Sequence, residues 1–159
     1  MKTLLTLLAP VIMLCLLASN TAYADAVHCK ALLTKAPDNV QITAVMQRPD
    51  KEVRSPYCLV TGIMAQRIGV DSKLYSIQFE LRLPNFWQGR FAYQFNGGND
   101  GEVKPALGSV TGLLGSQYAI NQGFAVVSSN GGHDARANPE AGLAGGAVFG
   151  HDPEARRDY

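Results

Sequence analysis

The chain has 159 residues, with 14 Lys and Arg against 13 Asp and Glu, and a formal net charge of +1 at pH 7. So even a balance leaves no electrostatic footprint for nucleic acid or an anionic surface. With 47% hydrophobic residues, the composition is that of a globular chain with one core rather than a disordered or fibrous one.

The first 24 residues read as a secretory signal peptide. Lys2 supplies the positive start, Leu4 to Ala18 is apolar apart from Thr6 and Pro10, and Ala22-Tyr23-Ala24 is an A-x-A cleavage site. The apolar run falls short of the ~20 residues that a membrane-spanning helix needs. Cys15 does not mark a lipoprotein, because Leu14 before it is not small and cleavage there would remove half of the run. The mature chain is expected to begin at Asp25, to be secreted or periplasmic, and to have no membrane association after cleavage. It retains two cysteines, Cys29 and Cys58. In an oxidising compartment two cysteines pair, and closing a loop of about 30 residues stabilises by roughly 3–4 kcal/mol in the chain-entropy picture. Two cysteines without a histidine pair do not make a zinc site.

Val40, Ile42, Ala44 and Met46 alternate with polar residues after the turn Pro37-Asp38-Asn39, which predicts a strand. Tyr57 to Ile68 predicts a second. Residues 73–83, "KLYSIQFELRL", alternate most strictly. Tyr75, Ile77, Phe79, Leu81 and Leu83 face one way and Ser76, Gln78, Glu80 and Arg82 the other, a strand with one wet face. After Pro84-Asn85 a fourth strand starts near Arg90, and the turn at 84–89 predicts that strands 73–83 and 90–96 pair antiparallel.

Beyond Phe95 the chain changes character, with 13 glycines between Asn96 and Gly150. A short apolar helix is expected over about Leu113 to Gln122, stopped by Gly123. Phe124 to Ser128 is a continuous apolar run, the pattern of a strand buried on both faces, and the elements that flank it are expected beyond Tyr159. In "HDPEARRDY", Asp152 is a helix N-cap, Pro153 fits the first helical position and Glu154 the first turn. Antiparallel strands leading into a strand–helix–strand unit give an α/β sheet entered through an antiparallel edge.

Asn-Gly-Gly occurs twice after an apolar run, at Asn96-Gly97-Gly98 and at Asn130-Gly131-Gly132. A type I′ hairpin turn is the simplest account of Asn-Gly. It fails for the first, since residues 100–105 are not an alternating return strand. A glycine loop at a strand end can instead present backbone N–H groups to an anion. No GxxxxGK[ST] or GxGxxG pattern supports a nucleotide, whereas an oxyanion suits an exported hydrolase. His133, beside Asp134, is either a catalytic base or a residue that ties down a glycine loop.

The segments "LPNFWQGRFAYQFNGGNDG", "NQGFAVVSSNGGHD" and "FGHDPEARRDY", in this order and spacing, resemble the N-terminal part of the tannase and feruloyl esterase family of secreted α/β-hydrolases. The resemblance runs from about Cys29 to Tyr159. It implies the N-terminal part of an α/β-hydrolase fold, broken off before the nucleophile elbow, with residues 25–159 an incomplete catalytic domain. It also implies cleavage at Ala24/Asp25, a Cys29–Cys58 disulfide, and an oxyanion-shaping loop at Asn96, Gly97, Gly98 and Asn99. His133 and Asp134 would then organise a loop. The family's serine, acid and histidine, and a lid domain that can carry calcium, lie downstream. No catalytic residue, metal ligand or cofactor site is therefore expected here. "VSSNGG" at 127–132 only superficially resembles the elbow. Val127 and Ser128 stand where the motif has glycine and cysteine, so Ser129 is not the nucleophile.

The implied reaction is hydrolysis of a small phenolic or aromatic ester through an acyl-serine, by a longer chain; this chain alone is expected to be inactive. Two other readings are a secreted β-rich module binding a carbohydrate or aromatic ligand, and a non-functional truncation product. Composition and motifs leave the particular ester and the oligomeric state open.

Overall fold

The computed structural model describes residues 26–95, 97, 99, 101–109 and 117–159. Residues 1–25, with the expected signal peptide and cleavage site, and Asn96, Gly98, Asp100 and residues 110–116 lie outside the described residues.

Five strands form one mixed sheet in the order β1-β2-β3-β5-β4. They are β1 (Val40–Gln47), β2 (Tyr57–Ile68), β3 (Leu74–Pro84), β4 (Arg90–Gln94) and β5 (Phe124–Ser129). Short helices α1 (Ala26–Ala31) and α2 (Ala155–Asp158) lie at the two ends of the described chain. Strands β1, β2 and β3 form an antiparallel meander, with Val40 opposite Met64 and Tyr57 opposite Pro84. Of these, β1 and β3 fall where period-2 alternation predicts them.

Alternation also sets what each face packs against. Ala44 and Val60 are buried beside Cys29 and Cys58, with Ile42, Met46, Phe79, Leu81 and Leu83 packed round them. Cys29 and Cys58 are joined, their Cα atoms 5.6 Å apart, and the bond staples α1 to β2. Replacing both cysteines with serine is expected to cost about 3–4 kcal/mol. In a full-length protein this is read as a lower urea midpoint with unchanged secondary structure in the far-UV spectrum; an unmoved midpoint counts against the staple.

The opposite face carries a second core, with Val53, Tyr57, Ala106, Leu107, Ile120 and Val126 buried together. It also buries charge. Arg82 Nε donates to Glu80 at 2.7 Å, and the guanidinium lies over the Tyr57 ring, 5.2 Å from its centroid. Desolvation holds the Tyr57 phenol in its neutral form by raising its pKa. Asp50 is lowered, first by the hydrogen bond from the Val53 backbone N–H, 2.7 Å away.

The predicted pairing of residues 73–83 with 90–96 does not occur. β5 lies between those two strands. It is antiparallel to β3, with Phe79 opposite Ser129, and parallel to β4, with Arg90 opposite Phe124 and Gln94 opposite Ser128. The continuous apolar run of β5 suits an inner position, since a strand buried on both faces needs partners along both edges. β4 is displaced to the rim of the sheet. The open apolar edge thus belongs to β4, where Phe91 is 61% and Phe95 82% exposed, and not to β5.

The connection from β4 to β5 holds one described 3₁₀ turn, Ala119–Gln122. The rest of the helix expected over 113–122 lies outside the described residues or is not helical. Gly123 does close the turn with φ +79°, its N–H reaching the carbonyls of Ala119 and Ile120. Residues 139–151 form 3₁₀ turns with a break at Gly142, which no apolar periodicity announces. α2 starts at Ala155 with Glu154 at its cap position, later than the first helical position the sequence gives to Pro153, and Asp152 caps the turn that leads into it. Asp152 Oδ1 accepts from the N–H groups of Glu154 and Ala155, and Oδ2 from that of Val70. The Ala155 bond leads the effects that keep this carboxylate below its ordinary pKa. A bulge between Met64 and Arg67 re-aims Arg67 toward α2, where it pairs with Asp158 at 2.8 Å and Glu154 at 3.3 Å.

Candidate functional site

Parallel pairing brings the carboxyl ends of β4 and β5 side by side, and each strand runs out into one of the two Asn-Gly-Gly loops. In open α/β sheets, ligands bind in the crevice outside the carboxyl ends of the strands, where the strand order reverses. The parallel β4–β5 pair places both loops at this carboxyl end of the sheet.

Of the four residues in the first loop, Gly97 and Asn99 are described and exposed. A Cβ on Gly97 would meet nothing within 4 Å among the described residues. Gly101 differs. Its φ is +55°, and a Cβ there would lie 2.5 Å from Ala135 N and 2.6 Å from His133 Cδ2.

Residues 102–109 follow irregularly across the sheet face, held by side chains from the strands. Glu80 accepts from Ala106 N at 2.8 Å. Gln94 Oε1 accepts from Gly108 N at 2.8 Å, and Gln94 Nε2 donates to Pro105 O at 3.2 Å. Polar residues on a face that reads as wet thus satisfy a loop backbone that has no ladder of its own. Their involvement has no local sequence signal.

The second loop is built around Asn130, which is buried. Its Oδ1 accepts from Gln78 N at 2.9 Å and Gly132 N at 3.0 Å, and its Nδ2 donates to Ser76 O at 3.2 Å. The side chain therefore continues the pairing with β3 for one step after β5 has ended. Gly131 and Gly132 then turn the chain with φ of +63° and +82°, a conformation glycine takes without penalty. Replacing Asn130 with alanine would orphan the buried donor Gly132 N, at about 1–3 kcal/mol, and the part-buried donor Gln78 N. A loss of roughly 3 kcal/mol in urea unfolding of a full-length protein is expected, and a smaller one for Asn130→Asp, which keeps the acceptor. Equal losses in the two variants would count against this network.

His133 is 3% exposed and stacks on Phe149, ring centroids 4.0 Å apart at 23°. Its Nε2 lies 3.4 Å from Asn99 O and its Nδ1 3.5 Å from Gly131 O. Asp134 accepts from Arg136 N at 2.9 Å and so caps the turn at 135–137. Ser129 Oγ lies 2.5 Å from the Tyr93 hydroxyl and accepts from Gly131 N. A polar hollow of about 270 Å³ lies between the loops, lined in part by Gln78, Gly101, Asn130 and Asp134. Among the described residues no group of three or more His, Cys, Asp or Glu could hold a metal ion. Among them too, no helix is long and apolar enough to cross a membrane.

An antiparallel entry followed by a parallel crossover pair, with glycine loops at the carboxyl ends, is the arrangement of the N-terminal part of an α/β-hydrolase sheet. Solved structures share it. Feruloyl esterase B from Aspergillus oryzae superposes with a TM-score of 0.53 at 17% identity, over 82% of this chain and 30% of that one. A second esterase from Aspergillus oryzae gives 0.50 at 23%, over 82% and 25%. The sequence model of the family "Tannase and feruloyl esterase" matches residues 58–159, and the chain belongs to that family. It is 38% identical over 102 residues to the mono(2-hydroxyethyl) terephthalate hydrolase of Piscinibacter sakaiensis, covering 64% of this chain and 17% of that protein. It is 32% identical over 89 residues to an uncharacterized esterase of Agrobacterium fabrum, covering 55% and 16%. The chain thus spans about a sixth of the length of these curated relatives.

Proposed function

We propose that residues 25–159 form the entry strands and the oxyanion loop of an exported carboxylic ester hydrolase that cleaves phenolic or aromatic esters. The observation that carries this reading is the parallel β4–β5 pair, which puts both glycine loops at the carboxyl end of the sheet, with Gly97 exposed.

The nucleophilic serine, its histidine and its acid are supplied by chain beyond Tyr159. The relatives' length supports this, as it leaves room for a nucleophile strand on the open edge of β4. The serine Oγ attacks the ester carbonyl while histidine takes its proton. The carbonyl oxygen becomes an oxyanion, and backbone N–H groups of the loop Asn96–Asn99 stabilise it in a water-poor site. The alcohol leaves with the proton from histidine. Water then attacks the acyl-serine by the same route in reverse, releasing the acid. Preference for an aromatic acyl group follows the esters named in the family's description and its relatives. The polar hollow between the loops does not supply an apolar wall for the ring, so that wall comes from elsewhere in the longer protein.

The test is to express the full reading frame, export it, and assay methyl ferulate and methyl gallate beside a short-chain aliphatic ester. Hydrolysis of an aromatic ester, abolished by a serine-directed phosphonate, is expected. An exported, folded protein that hydrolyses none of the three would overturn the proposal.

A further inference from the structure

The two Asn-Gly-Gly loops meet at one side chain. His133 Nε2 faces the carbonyl of Asn99 in the first loop, and its Nδ1 faces that of Gly131 in the second. The ring has little freedom to leave. Phe149 stacks on it, Tyr159 meets it edge-on with centroids 5.6 Å apart, and Gly101 lies so close that a Cβ there would sit 2.7 Å from Nε2. Gly146 approaches Asn99 from a second direction, so closely that a Cβ there would sit 2.6 Å from Asn99 O.

We infer that His133 is a positioning residue for the oxyanion loop: its Nε2–H holds the Asn99 carbonyl, and Phe149 and Tyr159 hold the ring. This rests on the function proposed above. A neutral imidazole carries one N–H, so it donates to one of the two carbonyls. The exposed loop has the greater need, because Asn130 and the two left-handed glycines already shape the second loop. On the proposed function, a carbonyl fixed at Asn99 limits the freedom of the loop that is to meet the reacting oxygen. A shift of about 1 Å there costs on the order of 10²-fold in rate.

The test compares three variants of the full-length protein. Glutamine places its amide nitrogen near the position of Nε2, asparagine near that of Nδ1, and phenylalanine keeps the stacking without a donor. His133→Phe and His133→Asn are expected to lower kcat by about 10²-fold with KM little changed, the split expected when a transition-state contact alone is lost. His133→Gln should recover most of kcat. Amide exchange over residues 97–101 should rise in the Asn and Phe variants and stay at the wild-type level in the Gln variant. That readout needs no substrate, so it separates a failure here from a failure of the esterase reading. Should His133→Phe not fold, the Gln–Asn pair decides alone. Equal kcat and equal exchange in those two variants would overturn the proposal.

Discussion

Gly101→Ala in the full-length protein is expected to lower turnover by about 10²-fold, the cost of misplacing a reacting group by about 1 Å. Two effects combine. Alanine at φ +55° pays the left-handed penalty of roughly 1–2 kcal/mol. Its Cβ would also sit 2.5 Å from Ala135 N and 2.6–2.7 Å from the His133 ring. The first neighbour is backbone and the second is wedged against Phe149, so the segment 97–101 is what gives way. Gly142 provides the control. Its φ is +54°, yet a Cβ there would meet nothing within 4 Å, so Gly142→Ala should cost only the backbone penalty, in stability, and leave kcat alone. Steady-state kinetics of the two variants side by side decides it. Similar turnover in both would show that the contact with His133 does not matter.

Residues 26–159 expressed alone are expected to aggregate and to turn over no ester. The reason lies in β4. It is parallel to β5 on one edge, and the described residues pair nothing with the other. Phe91 and Tyr93 alternate to one face, 61% and 42% exposed, and Phe95 beyond the strand is 82% exposed. Tyr93 and Phe95 already meet edge to face, 4.4 Å apart, in a patch open to solvent. Parallel strands are stable when both faces are covered, and an apolar open edge templates association with other chains. The antiparallel half is better protected, by its disulfide and its own core. Refolding with Cys29 and Cys58 oxidised should therefore give soluble oligomers rather than wholly unfolded chain. Lysine in place of Phe91 and Phe95 should shift the product toward monomer. Size-exclusion chromatography with light scattering measures this. A wild-type segment that runs as a monomer and melts cooperatively would refute it.

Much of this architecture is local, and so legible in the chain itself. Strands β1 and β3 follow from alternation, because a half-buried strand must present one face to the core and a shift of one residue would expose it. The Cys29–Cys58 bond is what two cysteines left after an expected export signal imply. Asp152 declares the turn that leads into α2 because a short acceptor before Pro153 and Glu154 satisfies free N–H groups wherever the helix lies. Gly131 and Gly132 mark the end of β5 for a similar reason, since φ of +63° and +82° is a demand on one residue at a time.

What the chain does not declare is which edges meet. Alternation specifies the two faces of a strand and says nothing of its neighbours, so the turn at 84–89 reads as a hairpin until β5 takes the place beside β3. The partners of irregular backbone are hidden in the same way. Glu80, Gln94 and Asn130 read as solvated polar residues, and only packing turns them into the acceptors of Ala106, Gly108 and Gln78. His133 stood between two meanings in the sequence, a base or a tie. Its surroundings come from residues 99, 131, 149 and 159, up to 34 positions away. Those contacts form only when the crossover, the 3₁₀ turns at 139–151 and α2 have closed over one end of the sheet. Tertiary structure decides them because a buried polar atom must find its partner in space, and no period in the chain counts that distance.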